Sequence, residues 1–428
     1  MRLQAVSVVN KLTEGQDEHA TDADKQQIAR AFLLICCTNF FSKFADLLAS
    51  PKITLTWLMQ ALGAPAFAIS LIVPIREAGS MLPQLLLAGP VTSRPKKLRL
   101  YQAGTVFQAM AIFGVVLTAL TFTGLSAAIL IVTLVTLFSL GRCLCSLSSK
   151  AVLGAVIPKS MRGQTTGWSA TIAGLSSCAV AGYLLMQSSA KSISTIVVLL
   201  LIACACWLLA SLVYGFIDES ASSRDNGKTR SNSLKQRLSL LQEDSDLAKF
   251  ITVRALYISS ALLAPYYILL SGNNDSGIRV LGGLLLAGGL ANLLSSVVWG
   301  RLSDRSSRRT MILSGFLVFL LGALTLVIYI ATPELLHTSW LVPLIFFGLQ
   351  ISHQGVRVAR KTYIVDMASK ERRVDYVALS NTIIGALLLA TGILLGVLST
   401  FFEPIWLIVI LSLMSLAGAV LGKGLREL

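Results

Sequence analysis

An all-α membrane protein, with twelve transmembrane helices in two pseudo-symmetric six-helix bundles, is the fold class that three observations predict. Hydrophobic residues make up 54% of the chain, charged residues only 13%, and mean hydropathy is +0.74. A soluble chain carries about 25% charged residues, so this balance excludes one. Twelve apolar runs follow one another, six before a polar central stretch and six after it. The two sixes also align with each other under one shift of 211 residues.

The elements follow in order. Residues 1–29, which include KLTEGQDEHATDADKQQ, hold no apolar core followed by a cleavage site, and a cytoplasmic tail is expected there. A bilayer core of about 30 Å takes about 20 apolar residues as a helix. Such runs lie near 30–50, 65–91, 100–122, 127–149, 165–187 and 193–216, which gives an N-terminal bundle over 30–217. Residues 218–246 form a central cytoplasmic loop that begins as a Ser- and charge-rich linker. Its second part sets Leu234, Leu238 and Leu241 at helical spacing beside Lys235 and Arg237. That pattern fits a short amphipathic helix on the inner membrane surface, with a disordered linker as the alternative. Six more runs, near 247–270, 279–300, 309–331, 339–361, 376–399 and 404–423, make a C-terminal bundle over 247–424 and leave 425–428 as a second tail.

The links carry the topology. On the side of the N-terminus they hold Arg94, Lys96, Lys97 and Arg99; Lys159 and Arg162; Arg301, Arg305, Arg308 and Arg309; and Lys370, Arg372 and Arg373. The opposite links hold chiefly Lys52 and Lys191. The positive-inside rule then puts both termini in the cytoplasm of a bacterial-type inner membrane. The net charge of +15 is a topology signal, and no nucleic-acid partner is expected.

Under the 211-residue shift, GPVTSRPKKL (89–98) falls on GRLSDRSSRR (300–309). Gly89 meets Gly300, Arg94 meets Arg305 and Lys97 meets Arg308, while Lys150 meets Lys361 and Arg162 meets Arg373. The segment GRLSDRSSRRT resembles the loop signature of the major facilitator superfamily, roughly G-x-L-x-D-R-x-G-R-R, which follows the second and eighth spans of that family. Ser307 departs from it, and the first copy has Ser93 for aspartate and Lys96 for glycine. The resemblance implies a carrier that binds its solute between the halves, near the bilayer midplane, and rocks the halves about it. It also implies a gating role for Gly300, Asp304, Arg305, Arg308 and Arg309, with Gly89 and Arg94 in the weaker copy. Asp304, Arg305 and Arg308 would be the latch; simple anchoring of helix ends to acidic lipid is the alternative.

Charges inside a span cost about 2.5–3.5 kcal/mol each, so each needs a reason. Span 1 holds Asn39, Lys43 and Asp46, and span 2 holds Arg76 and Glu77. At ~1.5 Å rise per residue, Lys43 and Arg76 lie at a similar depth, ~20 Å from the inner surface. Lys43 with Glu77 and Asp46 with Arg76 is one possible pairing, either as a neutral structural cluster or as an outer gate or proton-coupling site. Helical neighbours diverge by ~100°, so Arg76 and Glu77 are expected to point different ways. In span 4, Arg142 falls opposite His353 of span 10 under the shift, with Gln350 and Arg357 on the same run as His353. The resemblance implies that spans 1, 4, 7 and 10 line the cavity, so Arg142 and His353 would face each other; snorkelling of the arginines is the alternative. His353 is of the residue type that titrates near neutral pH. Arg76, Arg142 and Arg357 outnumber the acids, which favours an anionic or zwitterionic solute. Ser146, four residues after Arg142, and a span 5 without proline depart from the drug/proton antiporter pattern.

Other chemistries lack their residues. Seven cysteines lie in apolar runs without a CxxC, and there are three histidines, so no metal site or disulfide framework is expected. No phosphate-binding loop with its lysine, no His-Glu-x-x-His and no nucleophile elbow is present, so neither an enzyme nor a cofactor is expected. The expected function is a proton-coupled permease, a monomer whose partners are a small solute, protons or another ion, and membrane lipids. A lipid or amphiphile flippase on the same fold, or a non-transporting scaffold or sensor acting through the 218–246 loop, are the alternatives.

Overall fold

A computed structural model describes residues 22–93, 97–157, 162–186, 193–217, 234–271, 277–369 and 372–427. The first half contains α1 (Asp22–Leu48), the short α2 (Thr54–Ala61), α3 (Ala66–Ser93), α4 (Lys97–Thr121), α5 (Gly124–Val156), α6 (Arg162–Met186) and α7 (Ile193–Tyr214). The second contains α8 (Leu234–Glu243), α9 (Ser245–Leu256), α10 (Ser259–Ser271), α11 (Gly277–Arg305), α12 (Ser307–Ala331), α13 (Leu341–Met367), α14 (Arg373–Leu398) and α15 (Pro404–Gly422). Among the described residues there is no strand. Taking α9 and α10 as one, ten spans are long and apolar enough to cross a membrane, and the bent α11 makes an eleventh. The twelfth, α13, falls short because it carries Gln350, His353, Gln354, Arg357, Arg360 and Lys361.

The repeat seen in the sequence is a repeat of structure. Moved by 211 residues, Ala66, Arg162 and Ile193 fall on Gly277, Arg373 and Pro404, the first residues of α11, α14 and α15. Val156 likewise falls on Met367, the last residue of α13. Packing repeats too: α3–α5, α4–α5 and α4–α7 in the first half match α11–α13, α12–α13 and α12–α15 in the second. The halves meet along two seams, α3 with α14 and α6 with α11, and the shift exchanges one seam for the other. That is the mark of a pseudo-two-fold axis.

Small residues let the seams close, as expected where helix association relies on packing rather than on the hydrophobic effect. Gly392 lies against Pro74, and Gly289 is so near Cys178 that a Cβ there would stand 2.8 Å from its sulfur. Gly396 against Phe67 and Gly282 against Leu184 close the two seams nearest the ends of the helices. These contacts lie in the middle of the helices or toward the ends remote from the basic links, where Ser70 and Ser399 also meet at 3.4 Å.

The central segment differs from the expectation. Residues 218–233 lie outside the described residues, as do the side chains of Leu234, Lys235, Arg237 and Leu238. The amphipathic helix forms as α8, but Leu241, with Leu240, packs on a protein core that includes Leu247, Phe250, Tyr363 and Tyr376. Leu240 and Leu241 thus face an apolar surface of the chain's own. Asp244 ties the junction by accepting bonds from the Asp246 and Leu247 amides, at 3.0 and 3.1 Å, and from Tyr376 at 2.7 Å. It thereby caps α9. Burial pulls the Asp244 carboxyl up, but these bonds outweigh it and hold the group below its ordinary value.

Candidate functional site

A cavity of about 140 Å³ lies between the halves. That is the size of a void that takes one small ring molecule. Asp46 and Leu47 of α1, Ser50–Ile53 of the following link, Arg76 and Glu77 of α3 and Ser177 of α6 form one wall. Leu285, Gly288 and Asn292 of α11 and Gln350, His353, Gln354 and Arg357 of α13 form the other.

Local structure explains how these groups are presented. The link after α1 is pinned because the Thr56 hydroxyl donates to the Pro51 carbonyl at 2.6 Å and the Leu55 amide to Ser50 at 3.0 Å. The α2 that follows is almost wholly buried, so Lys52 sits on a rigid cap. On the other wall, the Trp299 indole donates to the Ile351 carbonyl at 2.9 Å and joins α11 to α13 one turn from His353. The Gln354 amide donates to Asn292 between the same helices.

The first wall pairs both of its acids. Arg142 reaches Asp46 at 2.6 Å and donates to Ser42 at 3.2 Å. Arg76 lies 3.7 Å from Asp46 and 3.0 Å from Glu77. Two guanidinium groups thus face two carboxylates, all less than a third exposed, which keeps the buried charges compensated. The second wall has no acid. His353 Nε2 lies 3.0 Å from Lys52 Nζ, and its Nδ1 lies 3.0 Å from Ser260 Oγ. Arg357 opens into the cavity, and among the described residues no carboxylate lies within ion-pairing distance of it. Its surrounding charges are Glu77 and the cations Arg76 and Arg142, with Lys43 also near. The buried Ser177 hydroxyl, also on the lining, has no hydrogen-bond partner among the described residues.

Most of the residues read from the sequence come together here. Asp46, Arg76, Glu77, Gln350, His353 and Arg357 line the cavity. Asn39 and Lys43 lie outside the lining, one to two turns along α1 from Asp46. The Asp46–Arg76 pair forms as expected, while Arg76 and Glu77 do not diverge: their long side chains fold back, line one cavity and bind each other. Spans 4 and 7 stand behind the lining, and spans 2, 5 and 8 take their places. Arg142 therefore does not face His353 but acts through Asp46. Lys52, Ser177, Asn292 and Ser260 were missed; each is a polar residue in an apolar setting, and Lys52 is a rare base on the base-poor side.

The loop motif has its own geometry. Gly300, Asp304 and Arg305 end α11; Asp304 and Arg305 are exposed, and Asp304 makes no ion pair among the described residues. Arg308 instead pairs with Glu427 and donates to the Leu425 carbonyl at 3.0 Å. Arg309 lies 3.6 Å from Glu427, which also accepts from the Ser306 hydroxyl at 2.5 Å. The Ser306 bond, with Arg308 and Arg309 adding to it, holds the exposed Glu427 carboxyl below its ordinary value. Tyr363 donates to the Arg426 carbonyl at 3.0 Å, so Leu425–Glu427 are tied down rather than free. Gly89 lies in α3, and Arg94 lies outside the described residues.

Comparison with known proteins agrees with this architecture. The family model described as Major Facilitator Superfamily matches residues 250–427. That match covers most of the second half of the chain. Likenesses of fold to solved structures reach across both halves. A nucleoside transporter, NupG (D323A mutant), matches with a TM-score of 0.68 at 13% identity over 92% of this chain and 99% of its own. The xylose transporter XylE from E. coli, in an inward open conformation, matches at 0.64 and 14%, covering 94% and 97%. A POT family transporter in complex with a thioalcohol conjugated peptide matches at 0.62 and 12%, covering 91% and 95%. No curated protein matches the sequence.

Proposed function

We propose that this protein is a major facilitator superfamily carrier, a proton-coupled secondary transporter that moves a small anionic or zwitterionic solute by alternating access. The observation that carries this reading is the Arg357 guanidinium, which opens into the cavity without an ion pair among the described residues. Asp46 and Glu77 of the first wall are paired with Arg142 and Arg76, whereas Arg357 of the second faces the cavity with no carboxylate in ion-pairing reach among the described residues. A cation open to the cavity with no counter-ion of its own offers a charge-assisted bond to a bound carboxylate or phosphate. Gln350 and the Ser177 hydroxyl offer neutral bonds beside that cation. The similar folds include a nucleoside transporter and a xylose transporter, which supports a polar cargo.

The seams meet away from the basic links. With those links cytoplasmic, this arrangement is the inward-facing one. Asp304, Arg305 and Arg308 would bridge helix ends in the other state, while here Arg308 holds the C-terminal segment. Uptake into proteoliposomes across a panel of carboxylates, amino acids, phosphates and neutral sugars, with and without a pH gradient, tests the reading. Accumulation of an anion or zwitterion that collapses with the gradient is expected. Transport of neutral sugars alone, indifferent to pH, would overturn it.

A further inference from the structure

Lys52 and His353 belong to different halves and meet at the remote end of the cavity, with Nζ and Nε2 3.0 Å apart. The far side of the imidazole settles its tautomer. The Ser260 hydroxyl lies 2.9 Å from the Tyr257 carbonyl, which can only accept, so the one hydroxyl proton goes there. At 3.0 Å from His353 Nδ1, the same oxygen can then only accept, and Nδ1 carries the hydrogen. Nε2 is left as a lone pair, and a Lys52 N–H fills it. Three hydrogen bonds therefore run one way, from Lys52 through His353 and Ser260 to the Tyr257 carbonyl, and the first crosses between the halves.

Such a contact holds with one proton shared by the pair, on Lys52. A second proton, on Nε2, sets two cations 3.0 Å apart and removes the acceptor. No free neighbour offsets that repulsion. From α1, Asp46 is taken by Arg142 and Arg76; from α3, Glu77 acts on Lys52 but is paired with Arg76. From α13, Arg357 and Arg360 are both cationic and act on Lys52 and His353 alike. The packed residues Ser260 and Tyr257 of the second half, and Asn292 of α11, are neutral.

We propose that Lys52 and His353 form a proton-binding site that is also the latch between the two halves. With one proton the pair closes the face remote from the basic links. Uptake of a second proton from water at His353 Nε2 breaks the contact; Lys52 keeps its proton, Nδ1–H stays on Ser260, and the added proton leaves when the halves close again. This rests on the transporter reading only in that the halves must be able to part.

The test reads that parting directly, without solute. Spin labels at Thr123 and Glu334, exposed in remote-face links of different halves, report the opening by their separation in a background stripped of native cysteines. Between about pH 8 and about pH 5, the wild-type chain should shift toward the longer separation, by at most about tenfold in open-to-closed ratio per pH unit for one linked proton. His353→Gln supplies an acceptor to Lys52 and an N–H to Ser260 without titrating, so its separation should stay short throughout. Lys52→Met should show the long separation at every pH. A wild-type separation that ignores pH, or a His353→Gln chain that follows the wild-type pH response, overturns the proposal. Amide exchange over residues 53–57 of the unlabelled protein, corrected for intrinsic pH dependence, reads the same opening should the labelled variants not fold. A failed uptake assay would leave the latch standing, and a failed latch would leave solute transport standing.

Discussion

Replacing Arg357 with glutamine separates a solute ligand from a structural cation, because the two roles predict opposite effects on stability. Arg357 faces the cavity with no carboxylate in ion-pairing reach among the described residues, and Arg76 and Arg142 add like charge around it. Arg357→Gln therefore breaks no ion pair. Since the group is exposed to the cavity, the relief of repulsion is small, about 0–1 kcal/mol, and thermal stability should hold or rise slightly. Solute binding should suffer instead. A hydrogen bond to a charged group contributes about 1.5–3 kcal/mol, and at about 1.4 kcal/mol per factor of ten the loss is about 10- to 150-fold in affinity. In uptake assays this should appear mainly as a raised KM. Arg142→Gln is the control: it strips Asp46 of its 2.6 Å partner and should destabilise by about 1–3 kcal/mol, the buried-pair value discounted for partial exposure. The two melting curves, with the KM for each variant, decide the matter. A marked fall in Tm for Arg357→Gln with an unchanged KM would refute the reasoning.

Three further outcomes follow from geometry elsewhere. Asp244→Ala removes the α9 cap and the Tyr376 bond, and should cost about 1.5–3 kcal/mol in unfolding assays. Because the folded state holds that carboxyl below its ordinary value, its stabilisation is present above the ordinary carboxylate range and fades as pH falls through the folded value. Glu427→Gln should free Leu425–Glu427, read as faster proteolysis of the C-terminus, and acid should do the same to the wild type as Glu427 is protonated. Gly392→Leu drives a side chain into Pro74 and should cost about 1–3 kcal/mol by overpacking, read as a lower Tm together with a wider α3–α14 separation between spin labels.

The fold was legible because two coarse physical patterns survive any detail of packing. Apolar run length sets the span count, and a shared offset sets the pairing of halves; even α13, too polar to pass as a span by composition, is placed by its match to α5. The cavity was legible where a charge stood in an apolar run, as with Asp46, Arg76, His353 and Arg357. What failed was direction. A step of ~100° per residue describes backbones, but arginine and glutamate are long enough to cancel it, so Arg76 and Glu77 share a cavity. Lys52 escaped because it lies in a link, where a base reads as topology, and only the fold of that link over the cavity turns it inward. The destination of Arg308 was hidden for a like reason: its partner Glu427 lies 119 positions along the chain, and no local spacing reveals it.

The offset of 211 residues also shows where two copies of one design have parted company. Arg142 in the first half answers to His353 in the second, yet Arg142 keeps Asp46 beside it while the cavity lining around His353 holds no acid from its own half. Where the first copy satisfies its acids from within, the second leaves the Arg357 guanidinium open to the cavity, so the two copies differ in the charge they present to whatever enters it.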